Sequence, residues 1–177
     1  MVKEILSQMR AAVHYPLLKE MGFNYWIPRQ GALFTSLKPI FSAGCLILLS
    51  APLQSQDHAQ HKILAGMLKV LELRLDEYCV ASMNAPLLPE SFHKFFNTLK
   101  QWAPHSLLIM GEPLAQSLTN SMSPLDSLRE ETKSLKGFEG PVFLTYHPEE
   151  LYQNPENKKK AFEDLLNLKA KISLMRS

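Results

Sequence analysis

The sequence predicts an α/β protein, a three-layer αβα domain built on a four-stranded parallel sheet. Two observations carry that expectation. Short apolar runs stand at residues 44–50, 78–83, 107–110 and 142–146. Stretches with apolar residues at helical spacing separate them. Strands alternating with helices form a parallel sheet through right-handed crossovers, with helices covering its faces. At 177 residues a single domain is the default, and the chain is long enough to bury a proper core.

In residues 2–21, Ile5, Leu6, Met9, Ala12, Val13, Leu17 and Leu18 are spaced amphipathically, and Pro16 interrupts them. One or two short helices are expected there, loosely attached to the rest of the chain. Residues 21–29, MGFNYWIPR, take turn character from Gly22 and Asn24 and bring Phe23, Tyr25 and Trp26 close together. Such rings most often cap their own core. The competing reading is a partner anchor, because Trp and Tyr dominate interface hot spots.

The run GCLILLS at 44–50 is unbroken and predicts a central strand buried on both faces. A polar loop with Pro52 occupies 51–57. Asp57 is placed to N-cap a helix over 58–75, whose Ile63, Leu64, Met67, Leu68 and Leu71 share a face. A second strand is expected at 78–83, a turn at 86–89, and a helix at 90–102 with Phe92, Phe95, Phe96, Leu99 and Trp102. The third strand, 107–110, is stopped by Gly111, and a short helix begins at Pro113. Residues 119–140 are polar and irregular, with a turn of helix expected at 125–131.

The fourth strand stops at His147-Pro148, because proline cannot donate to a ladder and restricts the residue before it. Asn154, Pro155 and Glu156 then suit the start of a last helix, as N-cap, first-turn proline and acid at the positive end of the dipole. That helix is expected to carry Ala161, Phe162, Leu165, Leu166 and Leu168 inward.

The net charge of +2 does not by itself imply a nucleic-acid partner. Lys158, Lys159, Lys160, Lys169 and Lys171 make the last helix basic, which reads as a solvated face. Cys45 and Cys79 lie inside strands and read as buried free thiols in a reducing cytosol. Two cysteines are too few for a four-cysteine cluster. His58 and His61 stand three apart with no third ligand, so no metal site is expected. No phosphate loop, dinucleotide fingerprint or nucleophile elbow occurs, and no cofactor is expected. The N-terminus lacks the long apolar core of a signal peptide, and residues 41–49 fall far short of the about 20 apolar residues that cross a bilayer. A soluble cytoplasmic protein without a membrane partner is the expectation.

His147 sits at the carboxyl end of a strand, where open α/β sheets bind ligands. Thr145-Tyr146-His147-Pro148, Leu151, Asn154-Pro155, Lys159 and Glu163-Asp164-Leu165 resemble the last motif of the uracil-DNA glycosylase superfamily. The resemblance implies a glycosylase-like fold and a His-Pro that contacts a flipped nucleotide. In that family a Gly-rich segment after the first strand carries an acidic or amide residue that positions water. Here that place holds SAPLQSQD, residues 50–57, with no glycine, and Pro52 removes a backbone donor. The catalytic alternative has His147 stabilise the leaving base and Asp57 activate water. The favoured reading has His147 hydrogen-bonded locally and Asp57 capping its helix.

A second resemblance covers the N-terminal region. Leu18-Lys19-Glu20-Met21-Gly22-Phe23-Asn24-Tyr25-Trp26, then Arg29 and Gly31-Ala32-Leu33, is similar to the N-terminus of the psi subunits of bacterial DNA polymerase III. The likeness continues through the strand, proline loop and aspartate of 46–57, and through Leu151 and Asn154-Pro155. It departs before Tyr15, in residues 119–140, and in Tyr146-His147-Pro148, which is nearer the glycosylases. Psi subunits have a glycosylase-like fold without glycosylase activity, so one family meets both resemblances. It implies a non-catalytic adaptor in two parts. An arm, residues 1–30, would bind the gamma and tau motor subunits of the clamp loader through Leu18, Met21, Gly22, Phe23, Tyr25, Trp26 and Ile27, with Trp26 as principal anchor. A body, residues 31–177, would bind the chi subunit and through it single-stranded DNA-binding protein and DNA. The enzymatic alternative is a divergent uracil-DNA glycosylase. A third is a glycosylase-fold protein that binds another nucleotide.

Overall fold

A computed structural model describes residues 23–24, 44–53, 58–74, 77–83, 89–130, 133–135 and 137–176. Leu18, Met21, Gly22, Tyr25, Trp26, Ile27 and Asp57 lie outside the described residues. In chain order the elements are β1 (Phe23–Asn24), β2 (Cys45–Leu49), α1 (His58–Leu71), β3 (Tyr78–Met83), α2 (Pro89–Trp102), β4 (Ser106–Met110), α3 (Glu112–Thr119), α4 (Leu125–Arg129), β5 (Lys133–Leu135), β6 (Phe138–Thr145), α5 (Pro148–Gln153), a 3-10 turn (Pro155–Asn157) and α6 (Lys158–Arg176).

The four apolar runs form the parallel centre of one sheet ordered β1-β3-β2-β4-β6-β5. β2 pairs in parallel with β3 and with β4, and β4 with β6. β2 and β4 are buried along their whole length. Leu46, Ile47, Leu48, Leu107, Leu108 and Ile109 are almost fully shielded from water, each stabilising the fold by about 1.5–3 kcal/mol. The chain steps from β2 to β3 in one direction and from β3 to β4 in the other. Right-handed crossovers then send α1 and α2 to opposite faces. α1 packs against α5 and α6 on its side.

The sheet also carries two short antiparallel edge strands. β1 lies on β3, with Phe23 opposite Met83 and Asn24 opposite Ser82. β5 pairs with β6, with Leu135 opposite Phe138, next to Gly137 at φ +90°. Thus part of the segment read as irregular is sheet. With only a few residues, β5 is too short to show the alternation that marks a strand. Short edge strands of this kind limit pairing with other chains. The helical turn expected at 125–131 is α4.

The first long helix ends at Leu71 rather than at residue 75, because Glu72 takes a left-handed conformation, φ +50°, which closes a helix. Asn154 does not cap the last helix through its side chain. Its backbone N–H donates to Glu150 O at the end of α5, and Pro155 opens the 3-10 turn. Phe162 and Leu166 do not face inward, being 48% and 41% exposed. The buried face of α6 is Ala161, Asp164, Leu165, Leu168 and Ile172.

Cys45 and Cys79 are free and buried. Burial pushes both thiols up to about 12, so neither is a nucleophile at neutral pH. Among the described residues no helix is long and apolar enough to cross a membrane.

Candidate functional site

In an open parallel sheet the ligand crevice lies outside the carboxyl ends of the strands, where the strand order reverses. Here that point falls between β2 and β4. Ser50 and Ala51 follow β2, Gly111 follows β4, and Tyr146 and His147 follow β6. Backbone bonds extend the ladders past the strand ends, from Ser50 N–H to Met110 O at 2.9 Å and from Gly111 N–H to Thr145 O at 2.9 Å.

Gly111 lets these three ends close on one another. It has φ +109°, and a Cβ placed on it would stand 2.1 Å from Ser50 Oγ, 2.8 Å from Ser50 Cβ and 3.3 Å from His147 Cβ. Gly111→Ala is therefore expected to lower stability by about 1–3 kcal/mol, from backbone strain and overpacking together. Gly66 on α1, with nothing within 4 Å of its Cβ position, is the control. Gly66→Ala should raise stability by about 0.5–1 kcal/mol. Urea melts of the two variants check this, and equal effects would refute the close approach at Gly111.

His147 is 3% exposed. It is the N-cap of α5 in a capping box with Glu150. Its Nδ1 accepts from Glu149 N–H at 3.3 Å, and its own N–H donates to Glu150 Oε2 at 3.3 Å. A ring nitrogen that accepts leaves the proton on the other, so Nε2–H donates to Ala51 O at 3.1 Å. Burial pushes the imidazole pKa down, against the pull of the Ala51 carbonyl and the Glu149 charge. At neutral pH the ring is uncharged and both its nitrogens are engaged with this chain's own backbone. Chemically it ties the loop after β2 to the end of β6. To reach a ligand, Nε2–H would first have to leave Ala51 O.

Replacing the ring removes a cap and leaves the Glu149 N–H and Ala51 O without it. His147→Ala should cost about 1–2 kcal/mol, and His147→Asn, which can still cap, less than that. Denaturant melts read the difference, and equal losses would remove the capping role.

A second polar cluster joins α4, the end of β6 and α6. Thr145 Oγ1 donates to Asp164 Oδ2 at 2.8 Å, and Arg129 Nη1 contacts Asp164 Oδ1 at 2.5 Å. Tyr146 Oη donates to Asp126, which also takes Lys160 Nζ at 2.9 Å and Arg129 Nε at 3.3 Å. Arg129 and Lys160 both stand over the Tyr146 ring, at 5.9 and 6.0 Å from its centre. Burial pushes the Asp164 carboxyl up to about 6, against the hydrogen bond from Thr145 and the charge of Arg129. The Tyr146 hydroxyl and the Lys160 ammonium hold Asp126 down at about 2. Sequence reasoning missed Asp126 and Arg129. Both lie in a polar stretch with no motif spacing, and only Leu125 and Leu128 signalled order there.

The motif residues Thr145, Tyr146, His147 and Asp164 thus lie side by side. Each is bonded within the protein, and Asp57 lies outside the described residues. The described residues hold no group of three or more side chains able to bind a metal. A cleft of about 490 Å³ opens elsewhere, at the amino ends of β4 and β6, lined by Leu99, Lys100, Pro104, Phe138 and Glu139 among others. It does not include His147. Comparison with known families and with curated proteins finds no family model and no curated protein that matches the chain.

Proposed function

We propose that this chain is a non-catalytic adaptor subunit of the bacterial replicative DNA polymerase, of the psi type, on a uracil-DNA glycosylase-like three-layer scaffold. The observation that carries the reading is the state of His147. The residue that a glycosylase would turn towards a flipped nucleotide is buried, neutral and bonded through both ring nitrogens to backbone. The loop it grips has no glycine over 50–53 and carries Pro52, which cannot offer the backbone donor that a base-binding loop needs. A scaffold with its crevice drawn shut suits a protein that holds partners.

In this reading residues 1–30 are the arm for the gamma and tau motor subunits of the clamp loader. Phe23 and Asn24 pair through their backbone with the edge of β3, and in this reading the arm would leave the body there. Residues 31–177 are the body that engages the chi subunit, and through it single-stranded DNA-binding protein and DNA. The protein works in the cytoplasm.

Incubation with single- and double-stranded oligonucleotides containing uracil is expected to give no abasic product above background. Product that vanishes in a folded His147→Ala protein would replace this reading with a divergent glycosylase. The positive test is binding to purified motor subunits, measured by surface plasmon resonance.

A further inference from the structure

The outer side of α6 carries an apolar ridge that the domain's own core does not use. Phe162, Leu166 and Leu174 are 48%, 41% and 72% exposed, and Ala170 between them is exposed too. Residues four apart line one ridge of a helix, here about 18 Å long. α1 lies beside it. Both helices follow the carboxyl end of a strand and run back along the sheet, so they are parallel. Lys169 Nζ pairs with Glu72 Oε1 at 2.7 Å, joining α6 to the end of α1. Ala65 is half-buried and Gly66 is exposed with nothing within 4 Å of its Cβ position. The α1 side of the seam thus offers small residues at 65 and 66, and the α6 side a phenylalanine and a leucine.

We infer that the seam between α1 and α6 docks an acidic amphipathic helix of a different protein. Charge selects this occupant. Lys62, Lys69, Lys158 and Lys159 are exposed on α1 and α6, against Glu163 beside Leu166 and Glu72, which Lys169 offsets. A second copy of this chain would bring the same lysines to the same seam. Its own amphipathic residues 2–21 carry Lys3, Arg10 and Lys19 against Glu4 and Glu20, and are also net positive. Like charge disfavours both. A helix with leucines three and four apart and glutamates flanking them meets the ridge with its apolar face and the lysines with its acids. This goes beyond the polymerase reading and uses none of the arm residues.

The test uses the full chain and two fluorescein-labelled synthetic 18-residue peptides with the same leucine pattern, one filled with glutamate and one with lysine. Anisotropy should show the glutamate peptide binding at least tenfold more tightly, less so at high salt. Leu166→Asp and Phe162→Asp should each weaken it at least tenfold without lowering the melting temperature, since both side chains are exposed. Lys62→Glu with Lys69→Glu should abolish the preference between peptides. Absence of binding, equal binding of the two peptides, or indifference to the α6 variants overturns the inference. So does a dimer in sedimentation velocity that Leu166→Asp dissociates, which gives the seam to a second copy. Binding that appears only after Leu6→Asp with Val13→Asp gives it to the chain's own N-terminal segment, and equally overturns the inference.

Discussion

On the proposed adaptor reading, Trp26→Ala should weaken binding to clamp-loader motor subunits by about 30- to 1000-fold while leaving the melting temperature unchanged. An indole buried in a partner's pocket typically contributes about 2–4 kcal/mol, and that range converts to the fold-change. Trp26 stands two residues beyond Asn24, whose backbone is held at the β3 edge. In the sequence it is flanked by Tyr25 and Ile27, side chains suited to an anchor's apolar surround. A ring that capped this protein's own core would behave differently. Its loss would cost roughly 1–3 kcal/mol and lower the melting temperature by several degrees. One variant therefore separates the two roles, with binding and melting measured on the same preparation. Lowered melting with unchanged affinity would remove Trp26 as the anchor of the proposed arm.

The parallel centre of the sheet was legible because β2 and β4 are buried along their whole length, and these two and the carboxyl half of β6 read as apolar runs. His147 was legible as a strand-end histidine. Its engagement with Ala51, 96 positions away in sequence, was not, because no local pattern encodes a contact between loops. The last helix shows a different limit. Ala161, Leu165, Leu168 and Ile172 make one apolar stripe, and Phe162, Leu166, Ala170 and Leu174 make another. Periodicity finds both and cannot say which faces the sheet. The stripe that does also holds Asp164, a residue that pattern reasoning sends to solvent. Asp164 can be buried only because Arg129 and Thr145 meet it, and Arg129 comes from a short helical turn in a polar stretch, where nothing in the pattern marks a partner for a buried acid.

That dependence gives the largest expected loss of stability. Arg129 and Asp164 have side chains 13% and 6% exposed. Arg129→Ala removes the guanidinium and leaves the carboxyl with the Thr145 hydroxyl, so the cost at pH 8 should be about 3–5 kcal/mol, the usual penalty for an uncompensated buried charge. The loss must depend on pH. In the folded protein burial already lifts Asp164 from its ordinary 3.8 to about 6. A carboxyl that titrates higher folded than unfolded makes the folded state bind more protons between those values. Stability from this group therefore rises as pH falls from about 6 to about 4. Without Arg129 the carboxyl climbs further, and at pH 5 it is neutral in both proteins. The difference between them should shrink from pH 8 to pH 5. Asp126 opposes this only at lower pH. Held at about 2, its contribution is complete above 3.8 and is lost as pH falls towards 2. Adding Asp164→Asn to Arg129→Ala should recover most of the stability at pH 8 and little at pH 5, because the amide still accepts from Thr145 without a charge. Urea melts of the three proteins at both pH values measure this. A loss of equal size at both, or no recovery in the double variant, would show that Arg129 acts through packing on Tyr146 rather than through the buried carboxylate.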